Sequence, residues 1–397
     1  MKKFKIPKAE IQSRIFKIQQ ELQANHIDAL LIVQRVDLYY FSGTAQNGFL
    51  YIPAEKEPLL LIKKYMPRAL EESSVENIVE LKSIKDIAKH IIDFYGKLPA
   101  TVGFEYDVLP VKEFEYYRKL LGNPECVDAT GLIFKLRSIK SGWEIQQMDK
   151  TADLARQTFE YMKTVLRPGL LEIEFSGICE TFARRLGHGG LLRFRHFQAE
   201  GYPWHVLSGR SGGMVGLLDA PATGEGTSAA FPYGAGSKRI EENEPIMVDF
   251  GTVLNGFHDD ETRMFAIGSM PKKALDASKA AIEIHNAVIE KAKPGESMHD
   301  LFRFSVNKAE SLGYGGQYLG PEGYKVTFVA HGVGLEVAEP PFIAEGKHEP
   351  LQPGMCFALE PKMVFENEFA AGIESVFLVT QTGSRLISRV PVEIFTI

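Results

Sequence analysis

The sequence predicts an α/β N-terminal domain followed by an α+β domain whose sheet is mostly antiparallel. Three observations carry this. Strand-like and helix-like segments alternate over roughly the first third of the chain, the pattern of a partly parallel sheet. At "LRSIKSGWEIQQM" (136–148) the character changes to long helices. Near the C-terminus three apolar strands follow one another without intervening helices, which calls for antiparallel pairing. A chain of 397 residues exceeds one ordinary core, so two domains are expected, 1–135 and 136–397.

The elements follow in order. Residues 10–25 place Ile11, Ile15, Ile18 and Leu22 at helical spacing. "DALLIV" (28–33), "GFLYIP" (48–53) and "PLLLI" (58–62) are strands. "IKDIAKHIIDFYG" (84–96) is a helix stopped by Gly96, "TVGFEY" (101–106) a strand, and "PVKEFEYYRKLLG" (110–122) a helix with Pro at its start and Gly past its end. Ser141 and Glu144 form a capping box for a long helix, and after the Pro-Gly break at 168–169 a second helix ends at Gly187. The glycine-rich stretch 205–236 lacks Gly-Lys-Ser/Thr and Rossmann spacing, so a surface loop or lid is expected rather than a phosphate cradle. "PIMVDFG" and "FHDDETRMFAIG" are strands joined by "TVLNG", an Asn-Gly hairpin signal. Residues 274–311 are helical, and "VTFVAHG", "MCFALEPKMVF" and "GIESVFLVT" complete the antiparallel sheet.

Composition narrows the function classes. Hydrophobic residues make up 45% and charged residues 24%, the balance of a globular protein. A net charge of −6 argues against a nucleic-acid or anionic-membrane partner. The basic N-terminus is not followed by an apolar signal region, and runs such as "ALLIV" are too short to span a bilayer. Cys126, Cys179 and Cys356 are scattered, which suggests a reducing compartment and no thiolate metal site, so a cytoplasmic location is expected.

The chemistry concentrates in "VDFGTVLNGFHDDETR" (248–263). Strand side chains alternate, so His258, Asp260 and Thr262 share one face, and Asp259 and Glu261 point to the other, where water can cover them. Asp249 lies on the partner strand, near Asp260. Two neighbouring carboxylates in an apolar setting repel unless a cation neutralises them. His331 ends an apolar strand, Glu360 ends another before Pro361, and Glu374 begins a third; buried strand glutamates are uncommon. Taken singly, each has an ordinary structural explanation: a turn acceptor for Asp249, a core histidine for His331. Together, four carboxylates and one imidazole suit Mn²⁺, Co²⁺, Fe²⁺ or Zn²⁺, and the negative charge favours two ions.

The order of motifs "VDFG", "GFHDDETR", "HGVGLEV", "ALEP" and "GIES" resembles the pita-bread metallopeptidases, which include methionine aminopeptidase, Xaa-Pro aminopeptidase, prolidase and creatinase. "IDALLIVQRVDLYYFSG" and "LRSIKSGWEIQQM" are similar to the creatinase-type N-terminal domain and its junction. The resemblance implies a pita-bread C-terminal domain with a curved sheet. It also implies two divalent ions, Mn²⁺ favoured: Asp249 on one, Asp260 and Glu374 bridging, His331 and Glu360 on the other. Glu360 would also carry a proton to the leaving amine. A short peptide or small amide substrate, Xaa-Pro hydrolysis and a homodimer follow as expectations.

The chain departs from the family where the substrate is handled. Ala338 stands where Xaa-Pro peptidases place a His after "HGVGLEV", and Tyr233 stands near the place of another; Ala330 and Gly372 also differ from the usual Gly and Arg. Tyr233 can donate one hydrogen bond, Ala338 none. His205 and His196 are candidates to compensate, and His258 is expected beside the ligands rather than among them. Two alternatives therefore stand beside the peptidase: a metal-dependent non-peptide C–N hydrolase or lyase on a small metabolite, and a non-catalytic peptide-binding module.

Overall fold

In the computed structural model the described residues are 4–195, 204–216 and 218–397. The chain divides into two compact units, Met1–Arg137 with Arg195–Gln198, and Ser138–Phe194 with Ala199–Ile397.

The first unit is built on a six-stranded mixed sheet. Its strands are β1 (Ala29–Ile32), β2 (Gly48–Pro53), β3 (Leu59–Ile62), β4 (Asn77–Glu80), β5 (Thr101–Phe104) and β6 (Glu125–Asp128), in the order β4-β3-β2-β1-β5-β6. β1, β5 and β6 run parallel, as do β3 and β4, whereas β2 is antiparallel to both neighbours. Helix Lys8–Ala24 buries Ile11, Ile15, Ile18 and Leu22, the residues its periodicity singles out.

In the second unit, β7 (His205–Ser208), β8 (Ile246–Leu254), β9 (Phe257–Ala266) and the C-terminal β17 (Phe395–Thr396) form one sheet in the order β17-β9-β8-β7. β10 (Phe328–Gly332), β11 (Glu339–Ala344), β12 (Cys356–Leu359), β15 (Ser375–Val379) and β16 (Ser384–Leu386) form a second, β11-β10-β12-β15-β16. β13 (Lys362–Phe365) and β14 (Phe369–Gly372) pair separately. Every one of these pairings is antiparallel except β17 with β9. Asn255 and Gly256, both at positive φ (55° and 93°), turn β8 into β9, as an Asn-Gly hairpin requires. The Ser141–Glu144 capping box opens helix Gly142–Val165.

Strand alternation divides the hairpin between two cores. Ile246, Val248, Phe250 and Phe265 join Phe159, Phe175 and Trp204 beneath helices Gly142–Val165 and Glu172–Arg185. Met247 and Met264 join Phe357 and Phe377 beneath helices Lys272–Lys291 and Met298–Ser311. Asp249, Asp260 and Thr262 have the parity of the second set, Asp259 and Glu261 that of the first.

Four expectations need correction. The helical stretch 274–311 is two helices broken at residues 292–297, where Pro294 and Gly295 interrupt the backbone ladder. "MCFALEPKMVF" is not one strand: Pro361 cannot donate a ladder hydrogen bond, and β12 passes to β13 at Glu360. "GIESVFLVT" likewise breaks at Ile373–Glu374, between β14 and β15. The glycine-rich stretch is a surface loop only in part: residues 227–231 are exposed, but Gly209 and Ser211–Gly213 are buried, and a Cβ at Gly212 would lie 2.7 Å from the Ala370 backbone nitrogen. Glycine there lets a chain segment approach β14. Buried Glu172 anchors the same segment by accepting from Ser208 N–H, the Ser208 and Ser211 hydroxyls and Gly236 N–H.

Candidate active site

The junctions just described place the ligand-type residues at one level. Register pairs Asp249 with Thr262 and His205 with Asp249, leaving Asp260 diagonal to Asp249 on the same face. Glu374 is bridged to Thr262 by a backbone hydrogen bond of 3.1 Å, and the Thr262 hydroxyl donates to Glu374 Oε2 at 2.7 Å. Arg263 fixes this join from behind. Its guanidinium donates to the carbonyls of Thr262, Glu374, Val390 and Pro391, and pairs with Glu261 Oε2 at 2.9 Å.

Asp249, Asp260, His331, Glu360 and Glu374 all line a single cleft of about 580 Å³. Leu192, Phe194, Phe328, Val337 and Phe342 give it apolar walls. His331 Nε2 lies 3.8 Å from Asp260 Oδ2, 3.7 Å from Glu360 Oε1 and 3.7 Å from Glu374 Oε1. Among the described residues, Asp260, His331 and Glu374 group their ligand atoms within 4.8 Å of one another. An ion bonded at about 2.0–2.2 Å spaces tetrahedral N and O ligands by roughly 3.3–3.6 Å, so this donor set fits a divalent cation with a small contraction.

On the Asp249 side a lysine stands in the site. Lys362 Nζ donates to Asp249 Oδ2 at 2.8 Å, Glu360 Oε2 at 2.8 Å and Glu374 Oε2 at 3.0 Å. An ammonium thus stands between Asp249 and the two glutamates, the place where a second ion is expected from the sequence. Lys362 went unread in the sequence, although its signal was present: it lies two residues after Glu360, on an apolar strand where an unpaired lysine is not buried.

The electrostatics follow from burial, this cation and the histidines and carboxylates around it. Burial raises Asp260 well above the usual carboxylate range, and Glu374 and Asp249 add to it. Burial pushes Glu360 up to about 7 against the opposing pull of Lys362. Burial also acts on Asp249 and Glu374, but Lys362 together with His205 at Asp249 and His331 at Glu374 outweighs it, and both are lowered. Lys362 itself is disfavoured by burial, yet the three carboxylates raise it well above its ordinary value.

The remaining sequence candidates are placed as follows. His205 lines the cleft with Nδ1 3.8 Å from Asp249 Oδ2. Ala338 lies on the cleft wall. Tyr233 is not brought to the cleft: it lines a separate cavity of about 320 Å³ with His188 and Trp204. His196 falls outside the described residues. His258 is buried, accepts from Arg193 N–H at Nε2 (3.1 Å) and contacts Gly334 O through Nδ1 (3.0 Å), so it clamps the turn after His331. Asp259 and Glu261 are not wet: both are buried, because helix Gly142–Val165 covers their face, with Phe159 stacked on Phe265 at 6.1 Å. Arg263 is the cation that faces them.

Comparison with known proteins agrees with this architecture. Residues 146–381 match the model of metallopeptidase family M24, and residues 14–139 match the creatinase/prolidase N-terminal domain. The chain belongs to metallopeptidase family M24. It is 24% identical over 382 residues to the Xaa-Pro dipeptidase of Pyrococcus furiosus, covering 96% of this chain and 98% of that one. An uncharacterized peptidase of Bacillus subtilis, YqhT, is 24% identical over 371 residues, 93% of this chain and 95% of the relative. The fold matches that of a Bacillus anthracis Xaa-Pro dipeptidase (TM-score 0.84, 23% identity, 98% of this chain and 100% of that one). It also matches the prolidase of Pyrococcus horikoshii (TM-score 0.80, 24% identity, 96% and 99%). The protein is thus a metallopeptidase of the pita-bread fold with a creatinase-type N-terminal domain, and its family uses divalent metal.

Proposed function

We propose that the protein hydrolyses the N-terminal amide bond of short peptides of the Xaa-Pro type with the help of a divalent cation, Mn²⁺ favoured. The observation that carries this is the convergence of Asp260, His331, Glu360 and Glu374 on the floor of an apolar-walled cleft. A cation held there supplies Lewis acidity toward the scissile carbonyl and acidifies water. The protein's own residues do the rest. Leu192, Phe194 and Phe342 hold apolar side chains of a small substrate and thin out water. Glu360, poised near neutrality, takes a proton at Oε1 and returns it to the leaving amine. His205, beside Asp249 on the cleft wall, would orient a substrate carbonyl. The relatives named Xaa-Pro dipeptidase support proline in the second position. A homodimer and a cytoplasmic location belong to the same proposal, checked by light scattering and cell fractionation.

A panel of Xaa-Pro and Xaa-non-Pro dipeptides and tripeptides, with Mn²⁺-loaded and chelator-treated protein, tests the reading. Release of the N-terminal residue in the loaded protein alone is expected. A second reading has its own observation: Ala338 on the cleft wall offers no hydrogen-bond donor, and Tyr233 lines another cavity. A non-peptide amide or other C–N substrate with fewer carbonyls to hold fits that wall. Metal binding without turnover of any peptide in the panel would select it.

A further inference from the structure

We propose that Lys362 is a built-in cation standing in the place of one metal ion, so that the cleft holds a single divalent ion, on the His331 side. The inference rests on the metal-dependent reading above and sharpens its site. Geometry carries it first. An ammonium has three hydrogens, and Lys362 directs Nζ to three carboxylates at 2.8, 2.8 and 3.0 Å, so its donors are all used. Glu360 and Glu374 divide their oxygens: each sends Oε2 to Lys362 and Oε1 toward His331 Nε2. Asp249 gives its Oδ2 to Lys362. The cleft is thus two cation places sharing two glutamates, one built from imidazole and carboxylate, the other already filled by the chain.

The backbone is shaped for this lysine. Lys362 pairs with Gly372 across β13 and β14, and a Cβ at Gly372 would stand 2.5 Å from Lys362 Cγ. The absence of a side chain at 372 is what admits the lysine stem. Charge agrees: four carboxylates against one dication and one ammonium leave a single negative charge. A second dication beside the ammonium would pack like charges between the same oxygens.

The test uses the full chain, stripped with chelator, equilibrated with excess Mn²⁺ and gel-filtered. Elemental analysis reads ions per chain, and electron paramagnetic resonance distinguishes isolated from exchange-coupled Mn²⁺. Wild type is expected to hold one ion per chain with an uncoupled spectrum, and Lys362→Ala two ions with a coupled one. Asp249→Asn should still hold one. Two coupled ions in the wild type overturn the inference and leave the metal-dependent reading standing; no bound ion overturns both. A folded Lys362→Ala that stays at one ion also overturns it. Should that variant fail to fold, the wild-type count and spectrum decide alone.

Discussion

Lys362→Met removes the ammonium and keeps most of the side-chain volume. In chelator this leaves Asp249, Glu360 and Glu374 facing one another without their shared partner. Breaking a buried ion pair by deleting one partner costs about 3–5 kcal/mol, a large part of the roughly 5–15 kcal/mol that keeps a domain folded. Adding Mn²⁺ changes the comparison. One site at a hundred times its Kd contributes about 2.7 kcal/mol, so the wild type gains about that much and the variant, with two places open, about twice as much. Urea unfolding followed by tryptophan fluorescence measures this in the right unit, since Trp143 and Trp204 both belong to the second. The expected result is a variant about 3–5 kcal/mol weaker than wild type in chelator, with the gap narrowed to about 0.3–2.3 kcal/mol in Mn²⁺. A loss below about 1 kcal/mol in chelator, typical of a surface change, would refute the reasoning, as would equal Mn²⁺ gains in both proteins.

Three further outcomes follow from the same structure. Asp260→Asn should lower turnover by about a hundredfold or more and weaken Mn²⁺ binding, whereas Asp259→Asn, on the covered face, should leave turnover within about threefold; equal losses in the peptide assay would contradict the division of faces. Gly372→Ala forces Lys362 to move and should destabilise by about 1–3 kcal/mol, measured by urea unfolding, with Lys362→Ala restoring part of the loss in Mn²⁺; an unchanged midpoint would show the lysine stem is placed elsewhere. Burial in helix Lys272–Lys291 lowers His285 to about 4. The unfolded chain therefore binds more protons below about pH 6.5, and the stability held above that pH is lost as pH falls toward 4, about 3 kcal/mol in all. His285→Leu should flatten urea midpoints across that window; an unchanged pH slope would contradict it.

Much of the site was legible because its signals are local. The Asn255-Gly256 turn sets the β8–β9 hairpin, and strand alternation then puts Asp260 and Asp249 on one face. Glu360 and Glu374 stood out as acids at the ends of apolar strands, and the structure shows why: both sit where a strand pair passes from one sheet to the next. What failed was set at long range. Asp259 and Glu261 are covered by a helix some hundred residues earlier, which no alternation reveals. Tyr233 lines another cavity, with His188 and Trp204, contacts made at long range. Lys362 lies beyond the Pro361 break, so alternation along one strand does not aim it at Glu360; only the passage from β12 to β13 returns it to the acids.

The most direct measurement is anomalous diffraction at the manganese edge from crystals of the full chain soaked in Mn²⁺. The account predicts one peak, beside His331 Nε2, Asp260 and Glu374, with Lys362 Nζ still hydrogen-bonded to Asp249. A second peak between Asp249 and Glu374 with Lys362 displaced, or no peak in the cleft, would contradict it.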